Sequence, residues 1–152
     1  MNSTVLAVDD ERDILDLIRF HLTRAGCEVV TATSGREALE TIHARRPDLL
    51  LLDLMLPDID GFAICEILRR QAATATIPIV IVSAWRTSDS RNLGLELGAI
   101  DFLTKPFSPK VLVERVLGLL SLRAAAEDTD HERSNAALAG ATVPGPRRWP
   151  GP

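Results

Sequence analysis

The run Leu49-Leu50-Leu51-Leu52 constrains this chain more than any other stretch. Pro47 and Pro57 bracket it, and the roughly ten residues between two helix-breaking positions are short for a helix. An unbroken apolar run of this length fits a strand buried on both faces of a parallel sheet. A carboxylate, Asp53, stands where the run gives out. Ligands and chemistry collect at the carboxyl end of a central strand in an open α/β sheet. A plain turn-capping role for Asp53 is the alternative.

The rest of the chain supplies the sheet. Thr4 to Val8 reads as a first strand and runs into Asp9-Asp10-Glu11. Ile14, Leu17, Ile18 and Leu22 recur at helical spacing over Asp13–Ala25, and Gly26 ends that helix. Glu28–Ala32 is a second strand. Ser34 and Glu37 form a capping box for a helix through Ala38, Leu39 and Ile42, which ends near Arg45-Arg46. After the turn cluster Pro57–Gly61 comes a helix over Phe62–Arg70. Ile77–Val82 is a buried strand ending at Ser83, and Trp85–Asp89 a polar loop. A fourth helix over Ser88–Leu97 is closed by Gly98; Gly94 inside it costs about 1 kcal/mol against alanine. Ile100–Thr104 is a fifth strand ending at Lys105-Pro106, and Ser108-Pro109 opens a last helix running to about Arg123. Strand and helix thus alternate five times, which implies an α/β, doubly wound, five-stranded parallel sheet.

Composition narrows the partners. The 152 residues suit one domain, taken as 1–123. A net charge of −4 argues against direct nucleic-acid binding. No secretory leader is evident, and no apolar run approaches the ~20 residues needed to span a membrane. Cys27 and Cys65 lie far apart without metal-ligand spacing, as buried free thiols in a reducing cytosol would. A cytoplasmic location is therefore expected. His21, His43 and His131 have no cysteine or carboxylate companions and read as surface residues. From Ala124 the composition turns acidic and then rich in Pro, Gly and Arg, so 124–152 reads as a disordered tail.

Asp9, Asp10, Asp53, Ser83 and Lys105 all fall at strand ends and gather on one edge of the sheet. Adjacent acids after a buried strand repel one another. They either favour the positive end of the next helix or hold a hard divalent cation through oxygen. Mg²⁺ held by Asp10 and Asp53 would reverse the local field for an incoming phosphoryl group. Asp53 can then act as nucleophile and become an aspartyl phosphate. Lys105 is placed to neutralise a phosphate oxygen, and the Ser83 hydroxyl to bond another. Lys105-Pro106 at a strand end suits a cis peptide.

These motifs carry a resemblance. Asp9-Asp10, Asp53 followed by Leu-Met-Leu-Pro-Asp-Ile-Asp-Gly, Ser83-Ala84, and Gly98 through Phe107 are each weak alone. In this order and spacing, residues 3 to about 122 resemble the receiver domain of two-component response regulators, and the stand-alone chemotaxis type in particular. The resemblance implies a flavodoxin-like sheet of order 2-1-3-4-5. It implies that Asp53 accepts phosphate from a histidine kinase or phosphotransfer protein. Mg²⁺ or Mn²⁺ would be bound by Asp10, Asp53 and the Met55 backbone carbonyl, with Asp9 acting through water. It further implies that Ser83 and Phe102 form a switch that repacks the fourth helix, fifth strand and fifth helix to control a downstream protein. Residues two past the phosphoacceptor and two past the switch hydroxyl tune phosphoryl lifetime; here they are Met55 and Trp85. Neither can orient a water as an amide or carboxylate could, so self-dephosphorylation is expected to be slow.

The last helix is greasier than one buried face requires: Val111, Val113, Leu117 and Leu122 widen the stripe of Leu112, Val116, Leu119 and Leu120. With Leu93, Val111 and Leu117 suggest a contact surface, for which a homodimer is one use; scattered surface apolars are the bland alternative. Three other readings compete. The chain is a receiver fragment of a larger regulator or hybrid kinase, a Mg-dependent phosphohydrolase working through an aspartyl phosphate, or a flavodoxin-type cofactor binder. The phosphohydrolase pattern places an acid where Met55 stands. The cofactor binder needs a Ser/Thr/Gly-rich loop after the first strand, and Asp9-Asp10-Glu11 is there instead. No helix-turn-helix or basic segment follows residue 123.

Overall fold

The computed structural model describes residues 2–84 and 88–142, with side chains through 127 apart from that of Ser88. Strands and helices alternate as β1 (Thr4–Val8), α1 (Arg12–Arg24), β2 (Glu28–Ala32), α2 (Gly35–Ala44), β3 (Leu49–Leu52), α3 (Gly61–Arg70), β4 (Ile79–Ser83), α4 (Ser88–Glu96), β5 (Asp101–Thr104) and α5 (Pro109–Thr142). All four strand pairings are parallel, in the order β2-β1-β3-β4-β5. The expected sheet is therefore present.

The four leucines of β3 are buried at the centre, each contributing about 2 kcal/mol by leaving water. Leu50 and Leu52 face one side, where Leu6, Val8, Ile79 and Ile81 join Ala38 and Ile42 of α2 and Ile64, Cys65 and Leu68 of α3. Alternate residues Val5, Ala7, Leu49 and Leu51 face the other. Leu15, Ile18 and Leu22 are the buried stripe of α1.

Local chemistry sets the element ends. Gly26 and Gly98 follow α1 and α4 with φ of +97° and +106°, a region that glycine enters freely. Ser34 Oγ accepts from Glu37 N at 3.1 Å, while Glu37 Oε1 accepts from Thr33 N at 2.6 Å, one residue before the cap. β4 begins at Ile79, not Ile77, because Pro78 has no N–H to give a ladder. Gly94 has a reason the propensity argument lacked. A Cβ there would lie 2.6 Å from Ile81 Cδ1, so α4 approaches β4 where only glycine fits.

α5 departs from the sequence reading. It continues to Thr142, where an end near Arg123 and a tail from 124 were expected. Ala124, Ala125 and Ala126 are strong helix formers, and Arg123 pairs with Glu127 one turn on at 3.2 Å. Residues 143–152 lie outside the described part. The described residues fall into two units that divide between Leu117 and Gly118.

Arg69 was not singled out from sequence. Its guanidinium donates to the carbonyls of Ala75 (2.8 Å), Ile77 (3.0 Å) and Gly98 (2.5 Å). It thereby joins α3 to the start of β4 and to the turn after α4. Arg69→Met keeps much of the stem but leaves three carbonyls without their charged donor. A loss of about 3 kcal/mol in urea denaturation is expected; a loss under about 0.5 kcal/mol, the range of ordinary surface changes, would remove Arg69 from the framework.

Candidate functional site

Parallel register builds the site. Val8 pairs with Leu52, and Asp53 N donates to Val8 O at 3.0 Å. Asp9 and Asp53 therefore leave neighbouring strands at the same level. β1 and β3 are also where the strand order reverses, so a crevice opens there. On the other side Ser83 pairs with Thr104, and Lys105 N donates to Ser83 O at 2.9 Å. The peptide between Lys105 and Pro106 is cis, as expected.

Lys105 Nζ lies 2.6 Å from Asp9 Oδ2, 3.1 Å from Asp53 Oδ2 and 3.5 Å from Glu11 Oε1. Asp9 and Asp53 are 2% and 4% exposed, whereas Asp10 stands at the open rim. Asp9 Oδ1 accepts from Glu11 N at 2.9 Å, and Asp53 Oδ1 from Met55 N at 3.2 Å. Asp9, Asp10 and Asp53 can each offer an oxygen within 4.8 Å of the others. An all-oxygen set with this much negative charge suits a hard divalent cation such as Mg²⁺. The site opens on a cleft of about 330 Å³ lined by Asp10, Glu11, Asp53, Met55, Ala84 and Lys105.

Electrostatics follow from the burial. Loss of water raises the Asp9 pKa, and the Asp53 charge adds to that; the Lys105 and Glu11 bonds oppose it without cancelling it. For Lys105, burial alone would lower the pKa. The bond to Asp9 and the charges of Asp53 and Asp9 outweigh it and hold the ammonium above its usual value.

The sequence-derived residues are distributed unevenly. Asp9, Asp10, Asp53, Met55 and Lys105 converge, and Ser83 is buried at the same sheet edge. Phe102 pairs with Ile81 and is buried in the core beneath α4. Trp85 lies outside the described residues. Leu93 and Leu117 are exposed and Val111 is half-buried. Leu95 and Ile100 are exposed too; the sequence reading gave Leu95 no surface role and began the fifth strand at Ile100, whereas β5 begins at Asp101. It also missed Gly61. A Cβ there would meet Leu54 Cα at 2.7 Å and Asp53 O at 2.8 Å, so α3 starts hard against the backbone of the site. A glycine directly after the helix cap Asp60 was the available signal.

Known proteins share the sequence pattern and the fold. Residues 5–117 match the family model described as the response regulator receiver domain. The chain is 44% identical over 120 residues to the alkaline phosphatase synthesis transcriptional regulatory protein PhoP of Bacillus subtilis, covering 79% of this chain and 49% of that protein. It is 39% identical over 117 residues to the transcriptional regulatory protein GltR of Pseudomonas aeruginosa, covering 77% and 48%. The chain thus spans about half the length of these relatives. Among solved structures, the receiver domain of the Francisella response regulator 1452 superposes with a TM-score of 0.76 at 34% identity, covering 80% of this chain and 99% of that one. The chemotaxis protein CheY4 of Vibrio cholerae gives 0.74 at 32% identity, covering 78% and 99%.

The raised Asp9 pKa has a stability consequence of definite sign. The native state holds this proton more tightly than the unfolded chain. Asp9 therefore costs stability progressively as pH rises from the ordinary carboxylate value, about 3.9, through its elevated one. Without divalent cations, Asp9→Asn is expected to gain on the wild type in stability across that interval. Urea denaturation of both from pH 4 to 7.5 checks this; a stability difference that stays flat with pH contradicts it.

Proposed function

This chain belongs to the response regulator receiver family, and from that premise we propose that Asp53 takes a phosphoryl group from a histidine kinase or phosphotransfer protein and so switches the surface formed by α4, β5 and α5. The observation that carries the reading is the Lys105 ammonium bridging Asp9 and Asp53 at the sheet edge beside Asp10. Receiver domains are signalling switches, not enzymes in the ordinary sense; the only chemistry assigned to this one is self-phosphorylation from a donor and slow loss of the group.

A carboxylate oxygen of Asp53 forms the new P–O bond as the P–N bond to the donor imidazole breaks. The freed ring nitrogen then takes a proton from water. Lys105, already on Asp53 Oδ2 at 3.1 Å, follows the added charge onto a phosphoryl oxygen. Ser83, one residue before the cleft-lining Ala84, supplies a hydroxyl to another. Asp10, Asp53 and the Met55 carbonyl, with Asp9 through water, would hold Mg²⁺ or Mn²⁺, which would supply the positive charge an anion needs to approach three carboxylates.

Output follows from the Ser83 movement. Phe102 is already buried against the segment of α4 around Gly94, so repacking of α4 is transmitted through an aromatic with no hydroxyl to satisfy. Leu93, Val111 and Leu117 are candidates for a surface that meets a downstream protein or a second copy. A cytoplasmic location fits a kinase-coupled receiver. Among the described residues no helix is long and apolar enough to cross a membrane. The half-length match to the curated relatives favours a second reading for context, a receiver portion of a longer regulator or hybrid kinase.

Acetyl phosphate is expected to add one phosphoryl group to the wild type in the presence of Mg²⁺, and none to Asp53→Ala, by intact mass. Equal labelling of the mutant would move the acceptor elsewhere. Met55 is 60% exposed at the cleft and carries no group that orients water. The phosphorylated wild type should therefore be long-lived, and Met55→Asn should shorten its lifetime. An unchanged decay would take residue 55 out of the hydrolysis step.

A further inference from the structure

The loop between β3 and α3 bears on the cation site through Met55, and Leu56 and Ile59 rest against the core. At its ends Met55 N binds Asp53 Oδ1 at 3.2 Å and Gly61 N binds Leu54 O at 3.2 Å. Between them, residues 54–60 and Asp10 line an open hollow of about 450 Å³. Two acids of the loop bind helix amides: Asp60 caps α3 by accepting from Phe62 N at 2.8 Å, and Asp58 reaches back to α2. Asp58 Oδ1 accepts from Gly35 N at 2.8 Å, and Oδ2 accepts from Arg36 N at 2.9 Å. Both amides belong to the first turn of α2, where helical N–H groups have no partner within the helix. The third amide of that turn, Glu37 N, is taken by Ser34 Oγ. Two bonds from backbone amides hold the Asp58 carboxyl below the usual range, so it stays ionised on a helix end that favours negative charge.

A second contact makes the fit close. A Cβ on Gly35 would lie 2.8 Å from Ile59 Cβ and 3.1 Å from Ile64 Cδ1. The loop therefore rests directly on the α2 backbone beside the Asp58 tie, and Ile59 packs onto the core.

We propose that Asp58 is a positioning residue for the cation site: by tying the loop to the first turn of α2, it holds the Met55 carbonyl where the cation needs it. The inference rests on the cation reading given above and adds α2, an element with no residue in the cleft, to what sets the affinity. Residues that orient metal ligands from outside the coordination sphere typically change affinity by tenfold or more when removed. A plain helix cap is the competing role, and Ser34→Ala separates the two. That change removes a cap from the same helix without touching the loop.

The test is a Mg²⁺ titration by calorimetry on the wild type, Asp58→Ala, Gly35→Ala and Ser34→Ala, with hydrogen exchange of the Leu54, Met55 and Leu56 amides in the metal-free proteins. Asp58→Ala and Gly35→Ala are expected to raise the Kd for Mg²⁺ about tenfold and to speed exchange in the loop. Ser34→Ala should lower the melting temperature while leaving Kd and loop exchange unchanged. Equal effects of Asp58→Ala and Ser34→Ala would reduce Asp58 to a cap and overturn the proposal. So would an Asp58→Ala protein with unaltered Kd and exchange. A wild type that binds no Mg²⁺ fails the cation reading itself and takes the positioning role with it, whatever the exchange data show.

Discussion

Parallel pairing of β1 with β3 forces two carboxylates together where neither is comfortable. The register that seats Leu52 beside Val8 also seats Asp53 beside Asp9, almost without water. The burial that makes the sheet stable thus makes its edge electrostatically unfavourable. Lys105, arriving from the far strand, neutralises part of that charge. A divalent cation would neutralise more, and would also offset the charge that a phosphoryl group adds. Stability and responsiveness therefore come from the same arrangement: a fold with strong apolar reasons to form and a small charged region left incompletely satisfied.

The sequence displayed most of this because its signals were local. A leucine run between prolines, β-branched runs ending in polar residues and helices closed by glycine are all readable without tertiary contacts. The topology then aligned Asp9, Asp53, Ser83 and Lys105 at one edge. What stayed hidden was chemistry between elements distant in sequence. Arg69 looks like any basic residue in the last turn of α3, and only the fold shows the carbonyls of Ala75, Ile77 and Gly98 around it. Asp58 reads as one acid in a turn cluster until Gly35 and Arg36 are seen beneath it.

Helix propensity misled in both directions. Gly94 was weighed by helix propensity alone, which counts its conformational freedom as a cost; the side chain of Ile81 explains why nothing larger stands there. The end of α5 erred the other way. Residues beyond Arg123 were judged by their acidic character, while the three alanines that begin the segment favour helix strongly.

The contact at Gly94 has a mechanical meaning. Side chains lodged between a helix and a sheet must change rotamer, or open a void, before the helix can shift. At Gly94 α4 has none to lodge: bare backbone bears on the Ile81 methyl group, with the rings of Phe62 and Phe102 beside the contact. Farther along, Arg69 grips the chain at the carbonyl of Gly98. The chain is thus fastened just past the end of α4, and the last turn of the helix, at Gly94, lies on the sheet with no side chain of its own in between.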